Sequence, residues 1–418
     1  MNLRIRKEIK LVMLMFFVLI GPNLSFGNMG IDTKQITYLI LTIIFFCTYR
    51  FRGNALLLGI CFQAFYWIIV ILLNGLRDIT GLKMLLIMFL GYFSANLLYI
   101  LYIKKYCKDS ERYFFLHVMI ISVIESIFVL MAYFNSHVWD FSYKYLGYKN
   151  TRVFEYINNI DESRRSFGIG TGTGTIASLY FSIFFIVAVL YYKRYKTTFS
   201  FLSILIIIIA TALLGRTGFY FELLLLLVWG LISLIKKIVN PEIKLNKKIF
   251  LNLLPMVIIL ILIFVNYDQS EKLVNKTLPW LFEFIVNFIN GKGLSSNTTD
   301  IIMNRMYFLP DDSTTLIFGS SNLGRGTILS FIPSDVGYIR TIFGFGILGL
   351  ILTYLPIVYL LYFGYKNKKM ISGELLLYSS ILLLLVNFKE LHIIYESNSI
   401  IMFCCYFFII RTKRNSNN

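Results

Sequence analysis

The chain has 418 residues, of which 57% are hydrophobic, 17% aromatic and only 15% charged. That balance excludes an ordinary soluble domain and a disordered chain, and describes a polytopic membrane protein. The formal charge of +18 would suggest nucleic acid in a soluble protein, but here lysines and arginines flank apolar runs. The charge therefore reports topology and attraction to anionic lipid headgroups, and no nucleic-acid partner is expected.

A helix needs about 20 apolar residues to cross the hydrocarbon. The runs predict an all-α fold, one membrane domain over 1–418 with about twelve spans near 10–27, 36–50, 54–76, 84–103, 114–134, 176–192, 199–214, 217–235, 249–267, 339–364, 375–388 and 397–410. Unbroken stretches such as Leu223 to Val228 lack the alternation of a β-barrel. The first run follows Arg4, Arg6, Lys7 and Lys10 like a signal peptide, but without a small-residue cleavage site it reads as an uncleaved helix. Alternate connections, together with both termini, carry 24 of the 40 basic residues and only Glu8, Asp109, Glu111, Glu242 and Glu374 as acids. By the positive-inside rule both termini are cytoplasmic, and two long loops, about 135–175 and 267–339, face outward. None of the five cysteines falls in those loops, and no Cys/His spacing suggests a metal.

The first long loop carries an aromatic and charged stretch from His137 to Tyr156, then Arg164 and Arg165. Gly168, Gly170, Gly172 and Gly174 follow just before a helix, where backbone N–H groups could approach a phosphate; the same glycines also fit a flexible loop end. Between the seventh and eighth spans, at the outer face, stands Leu214-Gly215-Arg216-Thr217-Gly218. The second long loop contains Leu278 to Ile289, too short to span and suited to a helix lying at the membrane interface. Beyond it come Arg305, Pro310, Asp311, Asp312 and Ile317-Phe318-Gly319-Ser320-Ser321-Asn322. The loop ends in Ser334-Asp335-Val336-Gly337-Tyr338-Ile339-Arg340, and the chain re-enters the membrane through Phe345-Gly346-Ile347-Leu348-Gly349.

The order Arg305, Phe318-Gly319-Ser320, Ser334 to Tyr338, then Phe345 to Gly349 resembles the carboxy-terminal part of Wzy-type bacterial polysaccharide repeat-unit polymerases. Leu214 to Gly218 is similar to that family's other recurrent patch. About twelve helices and enlarged outer loops also match those polymerases and the related O-antigen ligases. The resemblance implies a glycosyltransferase of the bacterial cytoplasmic membrane. It would move a growing glycan from polyprenyl diphosphate, such as undecaprenyl diphosphate, to a lipid-linked repeat unit at the outer face. A flippase and a chain-length regulator are the implied partners, and no cofactor or nucleotide sugar is needed.

That chemistry asks for a permanent cation at a leaving diphosphate and a base at the acceptor hydroxyl. Arg216 is the first candidate cation; its alternative role is to anchor a short hairpin, with Glu222 orienting it or simply meeting another helix. Arg165, Arg305, Arg340 and Lys389 are further candidates for substrate binding, and Tyr338 is an aromatic able to stack on a sugar. Asp335 is the first candidate base, or else an N-cap of the tenth span. His392, in the outer turn with Lys389 and Glu390, is a second titratable centre. His117 and Glu125 lie in the fifth span, as a structural pair or part of a polar pathway.

Two other functions fit some of these features. A loop histidine acting as base, His392 or His137, would favour an O-antigen ligase. A lipid-linked oligosaccharide flippase would account for Glu125 and Glu222, although a transport cavity should hold more charge. Topology is testable directly: reporter fusions after Lys149 and after Asn297 are expected to read the outer side, and one after Lys244 the cytoplasm. An inward reading for either long loop would remove the basis for an outer-face site.

Overall fold

The computed structural model describes residues 2–26, 29–50, 53–146, 165–170, 174–239, 277–291, 296–324, 332–392 and 397–417. Helices dominate it, as they must where no water can satisfy backbone groups. In chain order they are α1 (Asn2–Leu19), α2 (Thr33–Thr48), α3 (Ala55–Leu73), α4 (Thr80–Tyr106), α5 (Ser110–Phe134), α6 (Ser136–Tyr145), α7 (Gly174–Tyr195), α8 (Thr198–Leu214) and α9 (Arg216–Val239). There follow α10 (Leu278–Leu281), α11 (Glu283–Ile289), α12 (Asn297–Arg305), α13 (Ser313–Phe318), α14 (Gly337–Lys366), α15 (Ile371–Val386) and α16 (Ser397–Asn417). Among the described residues, four stretches are long and apolar enough to cross a membrane: α3, α4 running on into α5, α7 and α14. Shorter apolar helices occupy α2, α8, α15 and much of α16. The predicted ninth span, 249–267, lies outside the described residues.

The first helix ends earlier than its apolar run predicts. The chain turns at Gly21-Pro22, and β1 (Asn23–Phe26) pairs with β2 (Met29–Asp32) as a two-stranded hairpin. Proline cannot continue a helix, so hydropathy alone overshoots here. Asp32 then caps α2, its carboxylate accepting from the backbone N–H groups of Lys34 and Gln35.

The chain forms two compact units, one of residues 1–22, 32–118 and 296–418, the other of 23–31 and 119–295. In the first, α14 packs on α3, α13 and α15, while α4 packs on α2 and α16. Trp67 of α3 stacks flat on Phe345 of α14 at 3.9 Å, and its indole N–H donates to Thr353. In the second unit α7 is sheathed by α8 and α9, and its residues from Ala177 to Ala188 are all buried. The α7–α9 contact is backbone on backbone, because a Cβ at Gly218 would stand 2.2 Å from the Ser178 carbonyl oxygen. Small residues allow this closeness where lipid offers helices no hydrophobic reason to associate.

One helix is broken. Gly346, at φ 68 and ψ −176, interrupts α14 in a region that only glycine adopts readily. Carbonyls around the break are met from outside the helix: Phe343 O accepts from the Ser320 N–H and hydroxyl, both at 2.9 Å, and Gly344 O from the Ser321 N–H at 2.8 Å. Phe345 O accepts from the Tyr66 hydroxyl at 3.1 Å. The loop phrase Phe318 to Ser321 thus docks into the break. It comes so close that a Cβ on Gly346 would lie 2.1 Å from Ile317 O, and one on Gly319 2.4 Å from the Phe345 Cα.

Gly346→Ala therefore adds backbone strain of about 1–3 kcal/mol to a direct collision. The expected result is a clear fall in apparent melting temperature in detergent, larger than for Gly230→Ala, where a Cβ meets nothing within 4 Å. Equal behaviour of the two variants would contradict the docked break.

Candidate functional site

In the second unit, Arg216 opens α9 immediately after the extended Gly215, and the residue is only 7% exposed. A cation so placed must be paired. Its Nη1 donates to a carboxylate oxygen of Glu283 and, at 3.0 Å, to the Trp280 carbonyl. Trp280 and Glu283 come from the short helices α10 and α11, the segment expected to lie at the interface, which bends at Phe282. The Tyr220 hydroxyl donates to the Leu281 carbonyl, tying the same segment to α9 one turn further on.

Arg165 converges on this group. Its guanidinium carbon lies 4.9 Å from the Trp280 ring centre and that of Arg216 lies 5.0 Å away, both within cation–π range. Arg165 also borders Gly174, the first residue of α7, where an added Cβ would stand 3.3 Å from its Nη1. Ser166 holds the Arg165 strand in place, its hydroxyl donating to Val129 O and its N–H to Leu213 O. Among the described residues, two guanidiniums, one carboxylate and the positive end of a 22-residue helix thus share one neighbourhood. Two planar forks beside a helix N-terminus suit phosphate oxygens.

The orienting partner of Arg216 is Glu283. Glu222, considered from the sequence, instead accepts from the Thr211 hydroxyl at 2.8 Å and belongs to the α8–α9 packing. The signal for Glu283 was present, since it is the lone charge in the apolar stretch Leu278 to Ile289. Its target could not be read, because the two residues are 67 positions apart.

Asp335, Tyr338, Arg340, Arg305, His392, Lys389 and His117 lie in the first unit, and His137 in the second. Asp335 is exposed and is not a cap: the N-cap position of α14 is Val336, whose N–H is taken by the Ser334 hydroxyl at 3.2 Å. Tyr338 is half-buried, its ring packed against Tyr354 and Phe388 and its hydroxyl donating to Leu384 O, so it is a wall and not an open stacking face. Arg340 is buried and donates from Nε to Leu323 O at 2.9 Å, while Asp78 accepts from the Leu323 N–H at 3.1 Å. Both residues therefore clamp the turn that follows the docked loop phrase. Arg305 is exposed in the last turn of α12, where its charge suits the helix dipole.

His392 is 1% exposed, and the Asn387 side chain brackets it, accepting from its N–H at 2.8 Å and donating to its carbonyl. Lys389 and Glu390 are half-buried in the same turn. The Tyr338 N–H reaches Asn387 O at 3.3 Å, so the loop end and the last outer turn form one assembly. His117 in α5 meets the Tyr102 hydroxyl through Nδ1 at 2.8 Å. His137 opens the first turn of α6, where Asn135 caps its N–H.

These helices define an integral membrane protein of the all-α class. Comparison with protein-family models, curated proteins and solved structures finds no match.

The Arg216–Glu283 pair makes a quantitative test. Removing one partner of a buried pair leaves an uncompensated charge, at a cost of about 3–5 kcal/mol. Glu283→Ala should therefore lower the apparent melting temperature more than the Arg216→Ala/Glu283→Ala double variant does. Simple additivity of the two single changes would refute the pairing.

Proposed function

We propose that this chain is a polysaccharide repeat-unit polymerase, transferring a growing glycan from its polyprenyl diphosphate to a lipid-linked repeat unit at the outer face of the cytoplasmic membrane. The observation that carries the reading is the convergence of Arg165 and Arg216 on Trp280 beside the N-terminus of α7. A glycosyl group leaving diphosphate transfers its bonding electrons to a phosphate oxygen. Fixed cations aimed at that oxygen stabilise the charge as it develops, with no reorganisation at the moment of reaction.

In this scheme Glu283 holds the Arg216 fork in place. The acceptor hydroxyl oxygen bonds to the anomeric carbon while the carbon–oxygen bond to the diphosphate breaks. The hydroxyl proton passes to a base, for which the exposed Asp335 is the candidate. Twelve spans with both termini cytoplasmic belong to the same proposal. Burial removes His392 as an accessible histidine base, whereas His137 is exposed on α6, so the ligase is the second reading.

The reading is tested with purified protein and defined lipid-linked repeats, scoring a ladder of longer products. Arg216→Ala and Arg216→Lys should both lose polymer by at least about a hundredfold, since lysine keeps the charge but not the fork. Asp335→Asn should stop extension while single units still accumulate outside. Near-normal ladders from Arg216→Ala at equal abundance would sink the assignment. Units trapped on the cytoplasmic face, with wild-type protein unable to join them, would redirect it to transport.

A further inference from the structure

Within the first unit, the docked loop leaves a cavity of about 300 Å³, at the lower end of the range for small-ligand clefts. Its lining is of two kinds. Phe308 and Phe343, edge to face at 5.5 Å, with Pro310, Ile332 and Pro333 supply apolar surface. Asp311, Asp312, Thr315, Ser320 and Asn322 supply polar groups.

Most of those polar groups already have structural work. Asp312 caps α13, accepting from the Thr315 N–H at 2.8 Å; that bond, the Thr315 hydroxyl and the Thr314 N–H hold its carboxyl below the usual range. The Ser320 hydroxyl donates to Phe343 O, and Asn322 Oδ1 accepts from the Gly324 N–H. Asp311 differs, being exposed at the cavity with no hydrogen bond or ion pair among the described residues. A free carboxylate can only accept, and its natural complement is a ligand bearing several hydroxyl donors. The aromatic pair complements a ligand with one apolar face.

We propose that this cavity binds a single sugar ring, the terminal residue of the acceptor glycan, and that Asp311 accepts hydrogen bonds from its hydroxyls. This deepens the polymerase reading and rests on it for the word acceptor. Two carboxylates at one cavity also set a specificity: neutral and N-acetylated sugars enter, whereas uronic acids are repelled by like charge.

The test uses the full chain in detergent micelles and saturation-transfer NMR with methyl glucoside, methyl N-acetylglucosaminide and methyl glucuronide, with empty micelles as control. The first two should receive saturation and the glucuronide should not. Asp311→Asn and Phe308→Ala should each weaken the response on the order of tenfold, with the melting temperature of Asp311→Asn unchanged. Glucuronide binding as strong as glucoside binding, or responses unaltered in both variants, would overturn the proposal. Arg216→Ala separates the two readings, because it should abolish polymer and leave the glycoside response intact. If wild-type protein joined no repeats while the glycosides still bound at Asp311, the polymerase reading would fail and the sugar cavity would stand.

Discussion

Every backbone polar group placed in hydrocarbon must find its partner within the protein, and the structure follows from that demand. Unbroken helices meet it by themselves. Where α14 breaks at Gly346, loose carbonyls appear, and Ser320, Ser321 and Tyr66 supply the donors. The loop phrase from Phe318 to Asn322 is thus held by the broken helix, and Asp78 and Arg340 fasten its far end through the Leu323 backbone. The cavity beside it exists because these contacts fold the loop back on the helix instead of leaving it in solvent.

The same economy governs charge. Arg216 sits where an unpaired cation would be prohibitive, and Glu283 with the Trp280 carbonyl makes the position tolerable. A cation held this way cannot swing, which is the property that a site for a leaving diphosphate requires. Arg165 approaches the same ring from the loop before α7, so the cluster is assembled from three separated segments. Gly218 makes the assembly compact by letting the first turn of α9 lie directly on α7.

Several candidate residues had two readings, and the structure gives their surroundings. Arg340 and Tyr338 looked like substrate contacts because polar and aromatic residues at an outer loop end often are. Instead one clamps a turn and the other packs into an aromatic wall. Asp335 looked equally like a cap, yet α14 begins one residue later with Val336 at the N-cap position, and the Tyr338 N–H that a cap at 335 could have bonded goes to Asn387 O. Sequence spacing cannot choose between such roles, since each depends on groups tens of positions away or on the local path of the chain.

Sequence alone determined the helical class and the approximate position of the apolar helices, because hydrophobic length acts locally. It also marked Arg216, Arg165 and the glycine-rich re-entry as unusual in their setting. Only the tertiary structure decided that Glu283 and not Glu222 holds Arg216, that Trp280 gathers both arginines, and that Gly346 breaks α14 to receive a loop. Those facts depend on which distant groups satisfy one another's charges and hydrogen bonds, and such pairing leaves no periodic trace in the chain.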